Sequence, residues 1–268
     1  MKSIIRTQLF LAMAGLFVFA TGAFANPSVT MELTAPAPGP SLDGIYINPY
    51  TALVGAPGQT TAPINGVSTA VLCDDWTANV YPTTPPWQAT VTDISQLYGE
   101  TSPSETVKFD NPDSPTITNA TAAQQQNDYT VAGWLAIEIV QAQQANNQTL
   151  EGQLSYALWL NFDPTDPASY LSGMGATTDL NAAETDLSNA RTYVSNNGLN
   201  PGDFEATTGY DLTIYTSVPK GYTQEFLSLT PVSAPEASAA AVLAADLIGL
   251  FGVVFFLRRR SARATANR

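Results

Sequence analysis

Residues Ala239 to Leu257 are nineteen consecutive positions, apolar apart from Asp246 and two glycines, and Arg258, Arg259 and Arg260 follow at once. An α-helix rises 1.5 Å per residue, so crossing a hydrocarbon layer of ~30 Å takes close to 20 apolar residues, with 17 at the lower limit. The run meets that length. Asp246 opposes insertion by about 2.5–3.5 kcal/mol, and Leu243, Leu247, Ile248, Leu250, Phe251 and the segment Val253 to Leu257 offset it. By the positive-inside rule the three arginines hold the C-terminal end on the cytoplasmic side. Whatever precedes the run is then expected to fold on the far side of the membrane.

The segment before the run reads Pro231-Val-Ser-Ala-Pro235-Glu236. A Pro-Glu turn, a membrane-length apolar helix and a basic cluster, in that order, resemble the PEP-CTERM sorting signal of Gram-negative bacteria. Pro235 and Glu236 match its motif (residues 234–238), and Ala237 stands where a second proline is usual. The resemblance implies a partner, an exosortase-type membrane transpeptidase that cleaves near Pro235-Glu236 and removes helix 239–257. A plain uncleaved anchor is the alternative. The other terminus agrees with export. Lys2 and Arg6 form a basic region, Leu9 to Ala20 an apolar one, and Ala23-Phe24-Ala25 a small-x-small cleavage site, so residues 1–25 read as a signal peptide. The sorting tail covers 231–268 and the exported domain 26–230.

Between the two cleavage sites, residues 26–236 hold 22 acids against three bases, Lys108, Arg191 and Lys220, a net charge of −19. Such a surface repels nucleic acid and anionic lipid. It suits a soluble extracellular body, with divalent-cation uptake as the second reading. The chain has no histidine, which excludes Ser-His-Asp and Cys-His catalysis and histidine zinc sites. Its one cysteine, Cys73, excludes an internal disulfide. The body is long enough for one domain with a core of its own.

Along that body, Val29 to Leu33 reads as an edge strand within a Pro-rich leader. Gly44 to Val54 reads as a strand bent at Pro49, and Asn65-Gly66 as a hairpin turn. Val67 to Trp76 and Trp87 to Ile94 read as further strands. Residues 100–124 read as loop. Helices are expected over Thr130 to Ala145 with Asp128 as N-cap, over Leu150 to Leu160, and over Asp179 to Asn196. Tyr210 to Ser217 and Gln224 to Leu229 read as closing strands. Strands, then helices, then strands predict an α+β fold: a mostly antiparallel sheet or sandwich with a helical insertion.

Three segments are distinctive: Tyr46-Ile47-Asn48-Pro49-Tyr50, Leu72-Cys73-Asp74-Asp75-Trp76, and Tyr156-Ala157-Leu158-Trp159. They look like a group of exported PEP-CTERM proteins with a strand-borne Cys-x-Asp and a later helix ending Ala-Ile/Leu-Trp. More distantly they resemble bacterial thioester adhesin domains, in which a Cys thiol and a Gln carboxamide form an internal thioester. The resemblance implies Cys73 as the reactive thiol. That family's Gln directly precedes the aromatic-Ala-Ile-Trp stretch, where this chain has Ser155; Gln153 lies two positions earlier, about 200° around a helix. The other reading of Cys73 is a small buried hydrophobe.

Carboxylate pairs for glycoside hydrolysis, which need ~5–10 Å separation, are Asp74/Asp75, Asp163/Asp166 and Asp110/Asp113. Neighbouring strand residues point to opposite faces, and the other pairs sit in turn-forming sequence. Asn161, Asp163 and Asp166 offer oxygens to Ca²⁺ without EF-hand spacing, and an Asx-turn is the alternative. The sequence therefore reads as an exported, non-enzymatic surface or matrix protein without a cofactor. Its resemblance implies association with extracellular polysaccharide or biofilm. A covalent adhesin and a secreted carbohydrate-active enzyme are the rivals.

Overall fold

The computed structural model describes residues 26–34, 41–57, 66–77, 84–109 and 121–232. The first six strands are β1 (Ser28–Leu33), β2 (Ser41–Leu42), β3 (Ile45–Tyr46), β4 (Tyr50–Val54), β5 (Val67–Cys73) and β6 (Trp87–Asp93). A 3-10 turn at Ile94–Leu97 leads to helices α1 (Ala122–Gln144), α2 (Gln148–Phe162), α3 (Asp166–Met174), α4 (Thr177–Asn196) and α5 (Phe204–Thr208). Strands β7 (Tyr210–Val218) and β8 (Phe226–Pro231) follow. Six strands close into a barrel in the order β1-β4-β5-β8-β7-β6, and β2 with β3 makes a separate two-stranded ribbon. Each pairing in the barrel is antiparallel.

Period-2 alternation divides the apolar side chains between two cores. Val71 and Cys73 of β5, Trp87 and Ala89 of β6, Tyr215 of β7 and Phe226 of β8 meet Val29, Met31 and Leu33 of β1. Their alternate neighbours Leu72, Leu212, Ile214 and Leu227 pack instead against the helices. Helix α1 lies in the middle of that second core, with Val131, Leu135 and Ile139 fully buried. It packs on α2 and α4, and Trp134 stacks on Tyr193 with ring centroids 3.7 Å apart. The α+β architecture and the helical insertion, which lies between β6 and β7, are as the sequence order implies.

Several local readings need correction. The sheet is a closed barrel rather than an open sheet or sandwich, so Val29 to Leu33 is no edge: β1 pairs with both β4 and β6. Gly44 to Val54 is two strands, interrupted at a cis Asn48–Pro49 bond. Strand β5 stops at Cys73, and Asp74 to Trp76 have left the ladder. Helix α1 begins at Ala122, two turns before Thr130, with Thr121 as its cap, and Asp128 is an interior residue. The polar run Gln124–Asn127 masks that start. Helices α3 and α5 are short and are not among those the sequence pattern predicts.

Strand β8 pairs through Pro231, and Val232 N–H then bonds to Gly209 O at 2.9 Å. Strands β4 and β5 pair as a hairpin, but Asn65 of the expected turn lies outside the described residues. So do residues 1–25, Asp110, Asp113, Pro235, Glu236, the run 239–257 and Arg258 to Arg260. Among the described residues no helix is long and apolar enough to cross a membrane.

Candidate functional site

Where β5 ends, the chain passes under the helices and its backbone N–H and carbonyl groups must find partners inside the protein. Asn48, fully buried, supplies two of them. Its Oδ1 accepts from Cys73 N–H at 2.6 Å and its Nδ2 donates to Cys73 O at 3.0 Å. Trp159 Nε1 of α2 donates to the same carbonyl at 2.9 Å. Asn48 N–H in turn donates to Ser155 Oγ at 3.2 Å, and Ser155 donates to Glu151 O at 2.8 Å. The three distinctive segments therefore meet here. Trp76 completes the contact, within 5.2–6.2 Å of the rings of Trp159, Tyr170 and Tyr156.

Beyond Cys73 lies a buried charged cluster. Asp74, Asp75 and Glu225 are all 0% exposed and Lys108 is 6% exposed. Lys108 Nζ pairs with Asp75 Oδ2 and also donates to Thr77 Oγ1 at 3.2 Å. Asp75 Oδ1 accepts from Thr77 N–H at 2.9 Å and Thr77 Oγ1 at 2.8 Å. Glu225 accepts from Tyr129 Oη at 2.5 Å on Oε1, and from Lys108 N–H at 2.6 Å and Thr216 Oγ1 on Oε2. Neither oxygen of Asp74 finds a partner among the described residues beyond its own backbone amide.

Burial raises two of these acids. Asp74 is pushed well above the usual carboxylate range by desolvation and then by the charges of Glu225 and Asp75, against the pull of Lys108. Glu225 is raised by desolvation, opposed by its three hydrogen bonds. Burial, with the charges of Asp75 and Asp74, also pushes the Cys73 thiol up. The thiol stays protonated and donates to Asp75 O at 3.1 Å.

The residues singled out from the sequence separate once their side chains are followed. Asp74 and Asp75 are neighbours off the strand's end, so the opposite-faces argument does not apply to them; what separates them is that Asp75 is held by Lys108 and Thr77 while Asp74 is not. Gln153 is turned to another partner than Cys73, its amide bonded to Asp179 at 2.9 Å. The carboxamide that shares an acceptor with Cys73 is Gln224, whose Nε2 donates to Asp75 O at 3.2 Å.

Asp163 Oδ1 accepts from Thr165 N–H at 3.0 Å and Asp166 N–H at 3.1 Å, an Asx-type turn closing α2. Asn161 is also committed elsewhere, donating to Asp128 O at 2.9 Å and accepting from Arg191. Asp163 Oδ1 and Asn161 Oδ1 are thus engaged by the fold, Asp163 Oδ2 is buried with no hydrogen-bond partner among the described residues, and among those residues no group of three or more acidic or cysteine side chains is arranged to hold a metal ion.

Lys108, Glu225, Tyr129 and Thr216 do not stand out as site residues in the sequence. Lys108 alone carries a signal, as one of three bases in a body of 22 acids. A surface groove of about 560 Å³ lies apart from the cluster, between the end of α2 and α4, and Glu184 and Arg191 are its charged lining residues. No family model, curated protein or solved structure matches the chain.

Proposed function

We propose that the chain is an exported surface or extracellular-matrix protein, sorted by an exosortase-type transpeptidase and acting in a structural or binding role in exopolysaccharide or biofilm rather than as an enzyme. The observation that carries this reading is the order Pro235-Glu236, apolar run 239–257, Arg258-Arg259-Arg260, together with the signal-peptide pattern of residues 1–25. The character of the body supports it. Asp74 and Glu225, whose carboxyls burial raises, are sealed beneath the barrel's end and not displayed in a cleft. The groove between α2 and α4 brings a single acid, Glu184, to its lining, whereas glycoside hydrolysis uses two.

Mass spectrometry of the native mature C-terminus tests the reading. The expected result is a chain ending near Pro235-Glu236, lacking residues 239–268, in the extracellular or cell-surface fraction. Full-length chain in the cytosol with both termini intact refutes it.

A covalent adhesin through Cys73 is the second reading, favoured by one observation: the Cys73 thiol and the Gln224 carboxamide share Asp75 O as acceptor. A Cys73–Gln224 thioester leaves the body about 17 Da light through lost ammonia, and methylamine reverses it. Full mass with a free thiol removes this alternative.

A further inference from the structure

We infer that Lys108 and Asp75 condense to an intramolecular isopeptide bond, tying the end of β5 to the segment that leads into α1, with Asp74 relaying the proton. The inference is independent of where the chain is delivered.

The reacting atoms are already together. Lys108 Nζ is in contact with Asp75 Oδ2, and both side chains are shut away from solvent, at 7% and 0% exposure. Lys108 also lies 5.7 Å from the Phe109 ring centroid, and Phe109 stacks on Phe162 at 4.1 Å. These rings help to keep water from the pair. Holding the two groups in one place makes their meeting effectively unimolecular.

The surroundings match the steps of amide formation. The ammonium first passes a proton to Asp75 Oδ2, giving a neutral amine and a carboxylic acid. The Nζ lone pair then attacks Asp75 Cγ, and the carbonyl electrons move onto Oδ1. That oxygen already accepts from Thr77 N–H at 2.9 Å and Thr77 Oγ1 at 2.8 Å, two donors placed where negative charge develops. Asp74, in its acid form, gives its proton to Oδ2, which leaves as water while the carbonyl re-forms, and then recovers a proton from Nζ. One ammonium and one carboxylate become one amide and one water, with no oxidant or other co-reactant.

Asp74 suits the relay because neither of its oxygens is committed to a hydrogen bond with another described residue, and the charges of Asp75 and Lys108 both act on it. Its raised affinity for a proton keeps it in the acid form that a relay requires. Glu225 is less suited, since donors from Tyr129, Lys108 and Thr216 occupy both its oxygens. The bond also fits a body whose single cysteine allows no internal disulfide. It closes a loop across 33 positions that contains all of β6.

The test is peptide mapping of the purified full-length chain. A non-tryptic digest is expected to yield a linked pair of peptides carrying Asp75 and Lys108, about 18 Da lighter than their sum, the mass of one water. Trypsin is expected to leave the Lys108–Phe109 bond uncut, because the side chain no longer carries its amine. Lys108→Arg keeps the charge but is expected to show full mass, with folding checked by circular dichroism. Asp74→Asn is expected to leave most of the chain unlinked. Separate peptides at full mass with Lys108 cleaved overturn the bond. So does an 18 Da loss confined to the Asp75 peptide, which marks a succinimide. A fully linked Asp74→Asn protein overturns the relay role while the bond stands.

Discussion

Asn48 shows how much one side chain decides in this fold. It satisfies both the N–H and the carbonyl of Cys73 where β5 leaves its ladder. Asn48→Ala removes both partners and strands the Cys73 N–H inside the protein, for an expected loss of about 2–4 kcal/mol. Chemical denaturation of the two proteins checks this, and a change below about 1 kcal/mol contradicts it. Gly133 is a second such position. A Cβ there would come within 2.6 Å of Phe204 Cζ and 2.8 Å of Leu212 Cδ2. Gly133→Ala gains helix propensity but forces that junction apart, and the expected net loss is about 1–3 kcal/mol. A rise in melting temperature would show that Phe204 yields without penalty. Neither role is visible from sequence: Asn48 looks like a turn residue before proline, and Gly133 like a weak point in a helix.

At the scale of elements, α1 illustrates the limits of periodicity. Its central apolar residues are legible because 3.6-residue spacing survives there. Its first two turns are polar, and the burial of Gln125 and Tyr129 comes from the loop and strand segments they meet, while Asp128 meets Asn161 of α2. Thr121 starts the helix by accepting from Gln124 N–H at 3.2 Å. Thr121→Ala is expected to lower stability by about 1 kcal/mol. Protection of the amides from Ala122 to Gln126 against hydrogen exchange should fall in the same variant, and unchanged protection would deny Thr121 that role. The strands are easier to read, since alternation and turn residues are local. Their pairing is not. Strand β1 looks like an edge until β6 closes the ring behind it.

For the whole molecule, the balance of charge predicts an acid-stable body. Burial raises Asp128 to about 6, against the opposing effects of Asn127 and Arg191. Burial, followed by the charge of Asp93, raises Asp211 to about 6. Both acids bind protons more tightly folded than unfolded, where the value is near 3.8. Their contribution is therefore fully present below about pH 4 and is lost as pH climbs through about 6. Melting temperature is expected to fall between those limits, and Asp128→Asn to flatten the decline. A melting temperature that rises across the same interval refutes the assignment. Added salt should stabilise the body near neutral pH by screening its net charge of −19.

The chain's own letters settle most of its longer elements and their order, because side-chain period, turn chemistry and apolar run length act over a few residues. They settle as well that no disulfide or histidine chemistry supports the fold. The closure of the barrel and the meeting of Asp75, Lys108 and Glu225 belong to tertiary structure. Lys108 lies 33 positions from Asp75 and 117 from Glu225, and nothing local distinguishes a carboxylate destined for burial from one left in solvent. Packing alone removes water from some acids and not others, and that removal creates their chemistry.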